Sequence, residues 1–385
     1  MGDPGQTQTP PDIKTRDQLD EAVRRILLSA TAESDSQEVT FLTQSNALYK
    51  EILGPFEDDL HRVRHLTVTG TGPLMRIPFA LLVSKPYSGH ERGLQALRDA
   101  EWLNQHVQVR RLVALSHQAA SLDRPEIAAE GKGPALVGFS EPDLPDSSQC
   151  QANATQPPGS RPKVMLCKID GAVDFIPTVA ATANAAVGLS DPTCIATLDF
   201  SGRASVCISG PTFTQEAVHR IGPRLDGGSV VVFASHGLLS QQTAELNGAF
   251  EPAIVTSANA ARGDGIMTVS EVSGLKFPAG LVILTACNSS TPDSGEVDDT
   301  DSGLVQAFMF AGTRQVIVTH WPVLADPAQL VTSQTVEAIF KNKAPAAAAL
   351  NDAMTAVRNM AGIRRPDQYL QPLYWAGFSL VDKYL

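Results

Sequence analysis

Two side chains in this sequence are of the types that cleave acyl bonds: the imidazole of His236 and the thiol of Cys287, 51 residues apart. Each ends a short apolar run, Val230 to Gly237 in the first case and Leu281 to Asn288 (LVILTACN) in the second. A thiolate attacks a carbonyl carbon at neutral pH, and a neighbouring imidazole both takes the thiol proton and later protonates the leaving amine. Gly237 fits a second task, because a residue with no Cβ lets its backbone N–H approach a substrate carbonyl. The competing reading of Cys287 is a small hydrophobe that closes a strand.

For this chemistry the two groups must sit side by side, and the runs that carry them predict how. Both are continuous β-branched and apolar stretches with the length of strands buried on both faces. Chemistry in open parallel sheets collects at the carboxyl ends of the strands, where His236 and Cys287 stand. The rest of the chain supplies the frame. Helical spacing runs over Arg16 to Ser29 and Val39 to Leu53, the second stopped by Gly54-Pro55. Further strands are expected at His65 to Thr69, Arg111 to Ala114, Ala135 to Phe139, Ala253 to Ser257, Gln315 to Thr319 and Trp375 to Val381. Helices are expected at Gln118 to Leu122, Phe213 to Ile221, Leu304 to Phe310, Asp326 to Lys341 and Ala346 to Met360. Thr268, with Glu271 three residues on, forms a capping box that opens a helix to Leu275. A polar loop follows His236. Residues 141–162, rich in Pro, Ser, Asp and Gln, read as a surface insertion, and order resumes over 164–188. Alternating strands and helices predict an α/β sandwich with a mainly parallel sheet.

The bulk numbers narrow the function classes. A chain of 385 residues with 43% hydrophobic content buries a large core, and a net charge of −11 argues against a nucleic-acid binder. It suits protein or peptide partners instead. No apolar run approaches the ~20 residues needed to span a bilayer, and the polar, Pro-rich start has no signal core, so the expected setting is cytoplasmic, with no membrane partner. Four cysteines, Cys150, Cys167, Cys194 and Cys207, are separated by 16, 26 and 12 residues. That is not the paired spacing of a zinc site, and four reduced thiols are expected. No phosphate loop, dinucleotide fingerprint, metalloprotease helix or serine elbow is present, so neither metal nor cofactor is expected. His61 and His65 beside Asp58 and Asp59 lack a further ligand and read as a polar surface.

Read in order, seven stretches resemble the CHAT family of caspase-like (clan CD) cysteine peptidases, relatives of separase. They are GPLMRIPFALL (72–82), ALVGFSEPDL (135–144), SHG (235–237), DGIMTVSEVSGLKF (264–277), LVILTACNS (281–289), GLVQAFMFAGTRQVIVTHWPV (303–323) and PLYWAGFSLV (372–381). The His–Cys spacing is also close to that of caspases. The resemblance implies a caspase-like three-layer sandwich over residues 48–385, with residues 1–47 as a leader and two helices packing on it. It implies a cysteine endopeptidase with a His236–Cys287 dyad, an oxyanion hole from the N–H groups of Gly237 and Cys287, a protein or peptide substrate and a regulated signalling or defence role. It leaves room for a regulatory protein partner. The alternative is a catalytically silent scaffold of the same fold that binds a partner peptide. Asp326 resembles the position that reads a basic side chain in separase, although Leu324-Ala325-Asp326 is shifted by a residue, and an N-cap before Pro327 explains it equally. His320 stands where the family is usually apolar; it lines the pocket or caps a strand end. Trp321 is a pocket wall or core aromatic. The acidic loop 293–301 is a solvated segment, at a position where the clan often carries processing elements.

Overall fold

The computed structural model describes residues 15–31, 38–69, 72–113, 131–143, 203, 205–258, 264–285, 303–321 and 323–383. The expected helix 118–122, the ordered stretch 164–188, most of the insertion 141–162, Cys287 and the acidic loop lie outside them.

The helices are α1 (Arg16–Thr31), α2 (Glu38–Ile52), α3 (Glu57–Leu60), α4 (Leu94–Asp99), α5 (Gln215–Ile221), α6 (Ser240–Asn247), α7 (Val269–Ser273), α8 (Gly303–Phe310), α9 (Ala325–Asn342) and α10 (Ala346–Asn359). The main strands are β1 (His65–Thr69), β2 (Gln108–Val113), β3 (Leu136–Pro142), β4 (Ser205–Gly210), β5 (Val230–Ala234), β9 (Leu281–Leu284), β10 (Gln315–Thr319) and β11 (Phe378–Lys383). Three short strands, β6 (Gly237–Leu238), β7 (Ala253–Val255) and β8 (Ile266–Thr268), form a separate antiparallel sheet.

The eight-stranded sheet has the order β1-β2-β11-β10-β9-β5-β3-β4. Strands β10, β9, β5, β3 and β4 run parallel to one another. Strands β1, β2 and β11 are parallel among themselves, and the two blocks meet in the antiparallel pair β10–β11. The strand period of two sends alternate residues to opposite faces, and both faces are covered. Leu136, Val230, Val232, Leu281, Ile283 and Ile317 join a core built with α1, α2, α9 and α10. Val137, Phe139, Val231, Phe233, Val282, Leu284, Val316 and Val318 join a second core with α5, α7 and α8. In that second core Phe139 stacks on Phe233 with ring centroids 4.9 Å apart, and Phe308 of α8 approaches Phe233 at 5.4 Å. The result is the expected three-layer α/β sandwich with a mainly parallel sheet.

The amino-terminal helices are part of this body. Val23, Ile26, Phe41 and Leu42 are buried in the first core, and Ser45 and Asn46 of α2 hydrogen-bond to the carbonyls of Leu81 and Val83 at 2.6 and 2.9 Å. The expectation of four reduced thiols is corrected at Cys207, which is disulfide-bonded. It lies half-buried on the edge strand β4, and its partner falls outside the described residues. A bond of that kind persists where the surroundings are oxidising. No helix among the described residues is long and apolar enough to cross a membrane.

Candidate functional site

β5 and β9 are immediate neighbours, and their register fixes which residues stand at one level. Val230 pairs with Leu281, Val231 with Val282, Val232 with Ile283 and Phe233 with Leu284. Thr285 keeps the ladder going: its N–H and its Oγ1 both donate to the Phe233 carbonyl, at 3.1 and 3.0 Å. Every residue of both strands is buried, so neither strand is open to a solute along its length.

The chain turns at Ser235, and the small sheet pins it there. The Ser235 hydroxyl donates to the Val255 carbonyl at 2.6 Å, and the Val255 N–H donates to the His236 carbonyl at 2.9 Å. Gly237 then faces Ile254 across the antiparallel ladder. Because the bond from Val255 goes to the residue before it, Gly237 occupies a non-hydrogen-bonded position, and its N–H points away from β7. The His236 ring is half-buried, and burial pulls its pKa below the ordinary 6.5. The imidazole is therefore neutral near neutrality and able to accept a proton. No described residue shares a hydrogen bond with that ring.

The other anticipated residues leave the sheet one strand over, after β10. His320 is buried, with Nδ1 2.9 Å from the Arg76 carbonyl and Nε2 2.8 Å from Ser379 Oγ. A carbonyl can only accept, so Nδ1 carries the proton and Nε2 accepts from the serine. Burial, reinforced by the charge of Arg111, holds its pKa well below the ordinary range. Both ring nitrogens are used inside the protein, so His320 closes a strand end. Trp321 is buried in the first core, its indole N–H 3.3 Å from the Leu373 carbonyl. Gly377 packs under it so closely that a Cβ would come within 2.8 Å of the indole.

Asp326 is not the helix cap. Leu324 holds the N-cap position of α9, without a side-chain bond, and Asp326 lies inside the first turn. Its Oδ1 takes an ion pair from Arg365 at 2.9 Å and its Oδ2 a hydrogen bond from the Tyr369 hydroxyl. Sequence reasoning missed Arg365 and Tyr369 because both lie about forty residues downstream, with no local pattern tying them to Asp326. Ser235, whose hydroxyl fixes the turn before His236, was equally silent.

A profile of the CHAT domain matches residues 43–383. The human tetratricopeptide repeat protein 28 is 24% identical over 349 residues, covering 87% of this chain. The chain spans only 13% of the length of that relative. Among solved structures, the complex of Porphyromonas gingivalis RgpB pro- and mature domains aligns over 97% of this chain and 77% of its own, at 11% identity and a TM-score of 0.43. The Arg-specific cysteine proteinase gingipain R aligns over 98% of this chain and 79% of its own, at 11% identity and a TM-score of 0.38. The Saccharomyces cerevisiae separase–securin complex aligns over 97% of this chain and 22% of that one, at 10% identity and a TM-score of 0.38.

Proposed function

The chain belongs to the CHAT domain family, and from that membership we propose that it is a cysteine endopeptidase acting on a protein or peptide substrate through His236 and Cys287. The observation that carries the reading is the register of β5 and β9. Their paired residues differ by 51 positions from Val230–Leu281 to Phe233–Leu284, the separation of His236 and Cys287. In sequence, His236 and Cys287 each follow the carboxyl end of one of these two parallel neighbours, which is where the chemistry asks for a base and a nucleophile.

In the proposed reaction the neutral His236 ring takes the Cys287 thiol proton, and the thiolate adds to the peptide carbonyl carbon. The Gly237 N–H, left unused by β7, and the Cys287 N–H hold the developing oxyanion; losing one such donor typically costs ~10²-fold or more in rate. The imidazolium then gives its proton to the leaving amine, and the C–N bond breaks to leave a thioester. Water, deprotonated by the same imidazole, adds to that thioester and releases the acid and the thiol.

Cys287→Ala and His236→Ala are each expected to abolish peptide cleavage with the fold retained, since both positions follow the buried strands β5 and β9 in sequence and the half-buried His236 belongs to neither hydrophobic core. A peptide-library cleavage profile with circular dichroism on each variant checks this. Undiminished cleavage by either folded variant removes the dyad and leaves a peptide-binding scaffold.

A further inference from the structure

We propose that the amino-terminal edge of the parallel strands, at the end of the sheet opposite His236, is a docking surface for an extended acidic segment of a partner protein. The surface is separate from the dyad, and its use does not depend on peptide cleavage.

Five parallel strands lie side by side in the order β10-β9-β5-β3-β4. Each is entered from a segment that carries a cation: Arg314 before β10, Lys276 before β9, Arg224 before β5, Lys132 before β3 and Arg203 before β4. Their common direction puts all five entries at one edge and the carboxyl end that leads to His236 at the other. With strands about 4.8 Å apart, the row spans roughly 19 Å.

The entries pack on one another, which makes the row continuous. Arg203 donates to the carbonyls of Gly133 and Gly228 at 3.0 and 3.1 Å and pairs with Asp226 at 2.7 Å. Asp226 accepts the Gly133 N–H at 2.6 Å, so the segment carrying Lys132 is bound to the one carrying Arg224. A Cβ on Gly227 would come within 2.6 Å of the Arg314 guanidinium, and one on Gly222 within 2.5 Å of the Lys276 carbonyl. The Arg314 N–H reaches the Ala279 carbonyl at 3.0 Å.

This charge is not cancelled among the described residues. Lys132, Arg224, Lys276 and Arg314 are exposed, and none of their side chains makes a hydrogen bond or ion pair with a described residue. Asp226 is the single carboxylate on the described entry segments, and Arg203, Gly133 and Gly228 already hold it. The Glu271 carboxylate, on the helix that leads to Lys276, turns to the far end of α5, toward Gln215 and the Thr268 N–H. On a chain of net charge −11, a row of unpaired cations is a local reversal of sign, and such a field collects anionic groups.

The surroundings select a polypeptide. A long polyphosphate would be repelled by the excess negative charge of the rest of the molecule. Phe310, 80% exposed, ends α8 beside the row: its neighbour Ala311 accepts the Phe277 N–H at 2.7 Å, next to Lys276. An exposed aromatic at the end of a line of cations suits a segment that joins acidic side chains to an apolar one. An extended chain rises about 3.3 Å per residue, so roughly six residues cover the row.

The test is fluorescence anisotropy at low salt, with the whole chain and a labelled peptide of glutamate, serine and one leucine. The same peptide with glutamine for glutamate should not bind, and an oligothymidylate should bind more weakly. Arg224→Gln with Arg314→Gln should weaken binding of the glutamate peptide by about two- to thirty-fold, the range for two exposed charge pairs. Arg62→Gln with Arg364→Gln removes the same charge from exposed positions outside the row and should leave binding unchanged. Arg224→Glu with Arg314→Glu should lose the glutamate peptide and gain the matching lysine peptide, which a chain that failed to fold would not do. Equal losses in the two glutamine pairs, or no binding of the glutamate peptide by wild type, overturn the proposal. Oligothymidylate that binds more tightly than the peptide, and is lost with Arg224→Gln and Arg314→Gln, overturns it in favour of a nucleic-acid surface.

Discussion

A histidine held neutral by its surroundings is a liability in acid. The folded-state pKa of His320 lies well below the ordinary 6.5, through burial first and Arg111 second. Above about pH 6.5 both folded and unfolded chains carry it neutral. As pH falls below that, the unfolded chain takes up a proton the folded chain refuses, so stability drops with a slope of up to ~1.4 kcal/mol per pH unit. His236 adds a smaller effect of the same sign. Urea midpoints between pH 7 and 5 should therefore fall, and His320→Gln should flatten that fall. An equal slope in the variant would assign the acid sensitivity elsewhere. At this scale the sequence was legible where a residue's place depends on its own strand alone, as for His236 just past the end of the apolar run that forms β5. It was illegible where a role depends on a partner from another element: Arg76 and Ser379 make His320 a strand-end anchor, and Arg365 makes Asp326 a paired carboxylate.

Elements were readable when their ends or periodicity carried chemistry. Thr268 is the N-cap of α7, accepting from the Glu271 N–H while the Glu271 carboxylate receives the Thr268 N–H at 2.8 Å, the box that the sequence announces. Thr268→Ala should cost about 1 kcal/mol, within the usual range for cap removal, and Thr268→Ser should cost far less. Chemical denaturation of the two variants distinguishes a cap from a buried strand residue, because loss of the methyl group alone would affect both alike. α6 escaped notice because its sequence, SQQTAELN, has no apolar stripe; Thr243 is its buried residue, bonded to the Glu251 carbonyl at 2.7 Å. β4 escaped because SVCISG at a sheet edge mixes buried and half-buried positions without a strict alternation. β7 falls within the strand expected at Ala253 to Ser257, whereas its partners β6 and β8, two and three residues long, are too short for any period to show.

At the scale of the molecule, the sheet is two blocks of opposite direction sharing one seam. β11 is the piece that makes them one, antiparallel to β10 on one side and parallel to β2 on the other. Trp375, just before it, packs edge-on against Trp102 with ring centroids 5.0 Å apart, which ties the lead-in of β11 to the segment that precedes β2. A chain ended after Gly377 should leave β1 and β2 without a place in the main sheet. Their amides should then exchange as fast as those of an unfolded chain while β5 and β9 stay slower, and full protection of β1 in that variant would refute the seam. The order of synthesis gives this arrangement a further meaning. β2 is synthesised by residue 113 and β11 only from residue 378 onward. While residues 114–377 are being synthesised, the first two strands are therefore present without the strand that binds them, and a nascent chain already carrying His236 and Cys287 still has an open seam. Assembly of this sheet is timed by β11, so a chain stalled before that strand does not complete it.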